Sequence, residues 1–194
     1  MTQFEYAAIF YGIVVGIAIT NILTSVHVLL EAGSRVRWHW MAPALAVAAM
    51  VGTLGQFWLW WVSRDGRIGQ MTFLAFLPSV LAVTLLYLAC AATLPDSVPE
   101  SGIDLREYYF SNRRRIWVLI AAFLLLKAAQ NIWIMARVNF DAQQFGTMAP
   151  LLLAPLASGT MAATMVFVRA PWWHAVGIIF LLASMIVVFA PMKL

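Results

Sequence analysis

The chain has 194 residues, 63% of them hydrophobic and 10% charged, with a mean hydropathy of +0.87. A soluble domain is nearer half apolar and a quarter charged, so these values exclude an ordinary soluble fold and point to an all-α polytopic membrane protein. The net charge of +4 comes mainly from arginines in short connecting stretches, where headgroups and topology account for it and nucleic acid is not required.

Six spans follow in order: Phe4 to Leu30, Trp38 to Val62, Met71 to Leu94, residues 116–137, Phe145 to Val168, and Trp172 to Met192. Helices are required, because barrel alternation is absent and lipid offers no water to unpaired backbone groups. The first span has no Lys or Arg before it and is too long for a signal h-region, so no cleavable signal peptide is expected. Connections are short. Gly33-Ser34-Arg35 breaks the first, Asp65-Gly66 marks a turn in the second, and Arg169-Ala170-Pro171 makes the fifth very tight.

Small and polar residues form a stripe along the first span. Gly12 and Gly16 have the spacing of a close helix contact, and Thr20, Thr24, His27 and Glu31 continue that face, with Asn21 beside it. His27 and Glu31 are four apart and share a face. They suit a proton relay, a structural bond or, with further ligands, a metal. His39 and His174 sit among Trp38, Trp40, Trp172 and Trp173, a setting for interfacial anchoring more than coordination, so no metal site is expected. The single cysteine, Cys90, reads as a small buried hydrophobe.

Residues 95–115, PDSVPESGIDLREYYFSNRRR, form the one long connection. Pro95 and Pro99 end the third helix. Ser101 with Asp104 reads as a capping box opening a short interfacial helix. Tyr108, Tyr109 and Phe110 suit the headgroup level, and Arg113, Arg114 and Arg115 suit anionic lipid; the stretch reads as a topology anchor or as a regulatory or partner-docking surface.

Counting basic residues sets the orientation. With the N-terminus outside, Arg35, Arg37, Arg106, Arg113, Arg114, Arg115 and Arg169 lie in cytoplasmic loops, and Arg64, Arg67, Arg137 and Lys193 lie on the other side. The excess favours both termini outside.

The fourth span, IWVLIAAFLLLKAAQNIWIMAR, carries Lys127 at its centre, followed by Gln130 and Asn131 one turn later. An ammonium at that depth costs about 2.5–3.5 kcal/mol on insertion scales. No carboxylate lies near the middle of any span, so its company is expected among Asn131, Gln130, Asn21, Thr20 and Gln56. Three readings stay open: a structural hydrogen-bond hub, a charge in a solute or ion pathway, and snorkelling toward lipid.

Two echoes suggest halves of three spans each, 1–94 and 101–194. Ala18-Ile19-Thr20-Asn21-Ile22 resembles Ala128-Ala129-Gln130-Asn131-Ile132, and Met41-Ala42-Pro43 resembles Met148-Ala149-Pro150. Three spans per half would invert one half against the other, with a polar site near Asn21 and Asn131 at the midplane. Pro43, Pro78, Pro150 and Pro155 can kink spans or free carbonyls.

The chain resembles bacterial six-span inner-membrane proteins of uncharacterised activity, a likeness that implies no chemistry. The three-plus-three plan with a lysine in the fourth helix is similar in outline to TRIC-type trimeric cation channels. The seventh helix of that family is missing, and none of its motifs is matched.

No nucleotide, haem or other cofactor motif occurs. The leading expectation is a channel or transporter for a small ion or solute, with Lys127, Asn131, Gln130, Asn21, Thr20 and Thr24 in its pathway. Expected partners are anionic lipids and further copies of the chain. A non-catalytic membrane subunit is the first alternative. A small enzyme acting on lipid through His27, Glu31 or His174 is the second.

Overall fold

The computed structural model describes residues 3–62, 73–136 and 142–189. Six long helices fill them: α1 (Gln3–Ala32), α2 (Met41–Val62), α3 (Phe73–Thr93), α4 (Leu105–Met135), α5 (Ala142–Phe167) and α6 (Pro171–Phe189). All six are long and apolar enough to cross a membrane. Large apolar side chains stand exposed along each of them, among them Ile13, Leu54, Leu81, Val118, Leu153 and Ile179. Water would penalise such a surface, and lipid tails do not.

The helices form a ring in the order α1, α3, α4, α5, α6, α2, with α2 leaning inward against α3 and α4. Four of them, α2, α4, α5 and α6, make a quadrilateral whose edges pack and whose diagonals, α2 to α5 and α4 to α6, do not pack lengthwise. The two halves do not repeat one another. α1 lies along α3, whereas their counterparts α4 and α6 are a diagonal. The proline echo also breaks down: Pro43 stands in the first turn of α2, where its missing N–H is no loss, while Pro150 is inside α5.

Connections on one side of the bundle are well built. α1 stops at Gly33, whose φ of 53° suits a residue without Cβ. The chain then forms a short strand β1 (Val36–Arg37) that pairs in parallel with β2 (Ile103–Asp104) from the long connection. Gly102 makes this pairing possible. Its φ is 84°, and a Cβ there would stand 2.6 Å from the carbonyl oxygen of Arg35. Between α5 and α6, Ala170 accepts from the backbone N–H groups of Trp173 and His174, and Pro171 opens α6. The connections at 63–72 and 137–141, holding Asp65-Gly66, Arg64, Arg67, Arg137 and Asp141, lie outside the described residues, as does Lys193.

The expected short interfacial helix is not a separate element. Helix starts at Leu105 and runs unbroken into the fourth span, because Asp104 caps it. The Asp104 carboxylate accepts from the backbone N–H groups of Arg106 (2.8 Å) and Glu107 (3.3 Å). Ser101 is therefore not the N-cap; it stands before β2, in the turn that Gly102 closes onto Pro99. Those backbone bonds favour the ionised form and lower the Asp104 pKa. At 31 residues, α4 is about 46 Å long, well over the ~30 Å hydrocarbon core. Its third turn carries Arg113 to Arg115, and Lys127 lies roughly 20 Å beyond Arg114 along the axis.

Candidate functional site

Two polar assemblies occupy the quadrilateral, one at each end. The first closes it. Trp117 Nε1 donates to the Tyr109 hydroxyl at 3.0 Å, and that hydroxyl lies 2.8 Å from His174 Nδ1. His174 Nε2 lies 3.0 Å from the Val168 carbonyl. A carbonyl only accepts, so Nε2 carries the hydrogen and Nδ1 receives the Tyr109 O–H. All three side chains are fully buried, and each polar atom in the relay has a partner. The relay ties α4 to the start of α6 and the end of α5, bridging the α4–α6 diagonal. Leu29, Leu45, Leu105, Ile116, Met165 and Ile178 pack into the core that surrounds this end.

At the opposite end the diagonal opens into a cavity of about 500 Å³. Its lining comes from the second halves of α2, α4 and α6 and from α5 between Leu151 and Ser158. Leu59, Phe123, Ile134, Met185 and Phe189 supply apolar wall. Gln56, Lys127, Asn131, Ser158 and Ser184 supply the polar groups, and Lys127 is the one ionisable residue among the described lining. Gln56 is 93% buried in the protein, with an exposure of 7%. Ser158 donates to Ser184 at 3.0 Å, and Ser184 donates to the Leu181 carbonyl at 2.7 Å.

Small residues shape the edges of this cavity. A Cβ on Gly52 would touch Met185 Cε at 3.0 Å, and one on Gly55 would run into the ring of Phe189, so α2 and α6 meet where α2 lacks side chains. A Cβ on Gly159 would press on Leu124 and Leu125, which sets the spacing of α4 and α5.

Asn131 has a definite task. Pro155 has no N–H, so the Leu151 carbonyl one turn earlier loses its helical donor. Asn131 Nδ2 donates to that carbonyl at 2.6 Å. An amide from α4 thus repairs the break in α5 and is itself pinned at the cavity wall. Gln130, its neighbour, points elsewhere: it is half-buried, does not line the cavity, and its Nε2 is buried with no hydrogen-bond partner among the described residues.

The first span contributes nothing to the cavity, so the expected junction of Asn21 with Asn131 is not formed. α1 packs on α3 and α2, away from α5. Thr20 and Thr24 are exposed, and Asn21 is half-buried with Oδ1 lacking a hydrogen-bond partner among the described residues. Gly12 and Gly16 also face outward, with nothing within 4 Å of an added Cβ, so they mediate no contact inside the bundle. The whole stripe, including His27 and Glu31, stands on the outer surface. His27 Nε2 and Glu31 Oε1 are 3.4 Å apart with both side chains more than two-thirds exposed. His174 is buried in the closing relay with both ring nitrogens engaged, so His27, Glu31 and His174 do not converge on one cleft. No group of three metal-ligating side chains occurs among the described residues.

Arg113 is turned inward while Arg114 and Arg115 are exposed. Cys90 is buried 3.3 Å from the Thr53 hydroxyl, which also donates to the Ala49 carbonyl. Of the residues expected around Lys127, only Asn131 and Gln56 share its cavity.

Sequence reading missed the relay because Tyr109 and Trp117 fall on either side of a supposed loop–span boundary. One signal was available: Leu105, Tyr109, Arg113, Ile116, Trp117 and Ile120 form a helical face that runs across that boundary. Comparison with protein-family models, curated proteins and solved structures found no match.

Proposed function

We propose that this integral membrane protein is a transporter or channel for a small solute, with Lys127 as the charge in its site. The observation that carries the reading is the cavity: a closed-ended space of about 500 Å³ holding one lysine, two amides and two hydroxyls in an apolar wall. That volume falls in the range of small-molecule sites. A cationic group in a weakly hydrated wall favours an anion, and the apolar lining favours one with an organic body. Packing at one end with an opening at the other is the arrangement of a one-side-open state in alternating access.

On the basic-residue count, both termini lie outside, and the resemblance to bacterial six-span proteins makes the membrane an inner one. The relay of Tyr109, Trp117 and His174 then lies at the cytoplasmic end and the cavity opens outward. Flux of a small organic anion such as benzoate into proteoliposomes tests the reading, with Lys127→Met and Gln56→Leu as variants. The expected result is uptake by the parent reduced at least tenfold in Lys127→Met. Equal uptake by parent and variant removes Lys127 from the mechanism, and no uptake of organic or inorganic anions by the parent counts against transport.

A second reading has its own support. The outward stripe of Gly12, Gly16, Thr20 and Thr24 on α1 is what a second transmembrane helix packs against. It suits a further copy of the chain in an oligomeric transporter, or another protein if this chain is a membrane subunit. Crosslinking through cysteines at Gly12 or Gly16, with mass measurement of the product, separates the two.

A further inference from the structure

The closed end carries a second feature that the transport reading does not use. Arg113 is 92% buried, with an exposure of 8%. Its Nη1 donates to the Phe110 carbonyl at 3.0 Å, a bond within its own helix. Its Nε is buried with no hydrogen-bond partner among the described residues. No carboxylate pairs with it among the described residues; Asp104 faces Arg37 and Glu31 faces His27. The basic residues around it are of its own sign: Arg114 follows it, and Arg169 lies on the α5–α6 turn that packs on the same part of α4, where the Phe110 ring meets His174 at 5.4 Å and His174 Nε2 meets the Val168 carbonyl at 3.0 Å. A guanidinium held inward, with an idle N–H and two cations beside it, is missing an anion.

Position indicates which anion. Arg169 lies between Phe167, 80% exposed, and Trp172, 65% exposed. Two large aromatic side chains facing outward beside an arginine mark the level where acyl chains meet headgroups. A soluble phosphate would need only the charge, whereas an anionic phospholipid uses the charge and the aromatic flank together. Arg suits this role because its planar fork holds two phosphate oxygens at once.

We propose that Arg113 and Arg169, assisted by Arg114, form a binding site for the phosphodiester headgroup of an anionic phospholipid. The phosphate neutralises Arg113 and spans α4 and the α5–α6 turn. It stands on the same turn whose Val168 carbonyl receives His174, so lipid occupancy stiffens the closed end. The site does not depend on Lys127 or on transport.

The test uses the full chain, purified in a neutral detergent, with short-chain phosphatidylglycerol titrated against phosphatidylcholine and lipid-bound species counted by native mass spectrometry. Phosphatidylglycerol is expected to bind more tightly than phosphatidylcholine. Arg169→Gln, an exposed position that folding tolerates, is expected to weaken phosphatidylglycerol about fivefold and leave phosphatidylcholine unchanged. Arg113→Lys keeps the charge and loses the fork, and it should weaken the same lipid. Arg37→Gln removes a cation at the same end, outside the cluster, and should change nothing. Equal binding of the two lipids, an unaltered Arg169→Gln, or an equal loss in Arg37→Gln overturns the proposal. Displacement of the lipid by inorganic phosphate at comparable concentration assigns the arginines to a soluble anion and overturns the lipid source.

Discussion

The two ends of the α2–α4–α5–α6 quadrilateral are built from the same helices and differ in what fills them. At one end Tyr109, Trp117 and His174 span the diagonal with every hydrogen bond made, and large aliphatic residues pack round them. At the other, Lys127, Asn131 and Gln56 line a cavity among the four helices. The closed end concentrates its polar groups in one relay whose members satisfy each other. The open end spreads them over four helices, facing a common space. Polar groups inside a membrane bundle are costly in either place, but a relay buried in the core fixes structure, while groups that line a cavity stand where a solute can meet them.

If that contrast is right, damage to the closed end should cost stability and damage to the open end should cost activity. The largest effect is expected for Trp117→Ala, which empties a fully buried site and strips a donor from Tyr109. It should destabilise by about 3–5 kcal/mol, read as a drop in unfolding temperature in detergent. Tyr109→Phe keeps the ring but leaves Trp117 Nε1 and His174 Nδ1 without partners, for about 1–3 kcal/mol. Gly102→Ala forces a Cβ against the Arg35 carbonyl at a φ of 84° and should cost a similar ~1–3 kcal/mol by undoing the β1–β2 pairing. Lys127→Met, by contrast, should leave the unfolding temperature unchanged or raise it, since the ammonium is the expensive group.

Asn131 tests the border between the two behaviours. Asn131→Leu leaves the Leu151 carbonyl at the cavity wall without its protein donor and should cost about 1–2 kcal/mol. Pro155→Ala restores the helical donor to that carbonyl, so the double variant should recover most of the loss. A double variant as unstable as the sum of its parts would show that Asn131 does not repair the proline break. The smallest effect concerns pH. The backbone donors hold the Asp104 carboxyl below the ordinary range, so its contribution is present above its unfolded pKa and fades as pH falls through about 4 and below. Asp104→Asn keeps a capping oxygen and should flatten that acid dependence in a thermal-unfolding series.

The sequence carried the six spans because length and hydropathy suffice for that. It carried the breaks at Gly33 and Pro171 for the same local reason. Lys127 stood out by cost, and Gln56 and Asn131 line the same cavity, yet nothing local said which helix Asn131 serves. That depended on α5 bringing Pro155 opposite α4, a matter of tertiary packing. The stripe from Gly12 to Thr24 illustrates the opposite problem. Its spacing specifies a contact surface and does not say whether the contact lies within the bundle or outside it. The repeat rested on short echoes whose neighbours in space turned out to differ. The relay was hidden by the polar and charged residues around Tyr109, which resemble a loop by composition although their buried face has helical spacing.

The contrast between the ends rests on water reaching Lys127's cavity and stopping short of the relay. Thiol labelling measures this directly in a Cys90→Ser background, with single cysteines at Ser184 on the cavity wall and at Ala162, buried in the packed half of α5. A membrane-impermeant maleimide applied to proteoliposomes should modify the Ser184 position from one side only and leave the Ala162 position untouched. Equal labelling of both positions, or none at Ser184 from either side, would contradict a water-accessible site at one end of a bundle closed at the other.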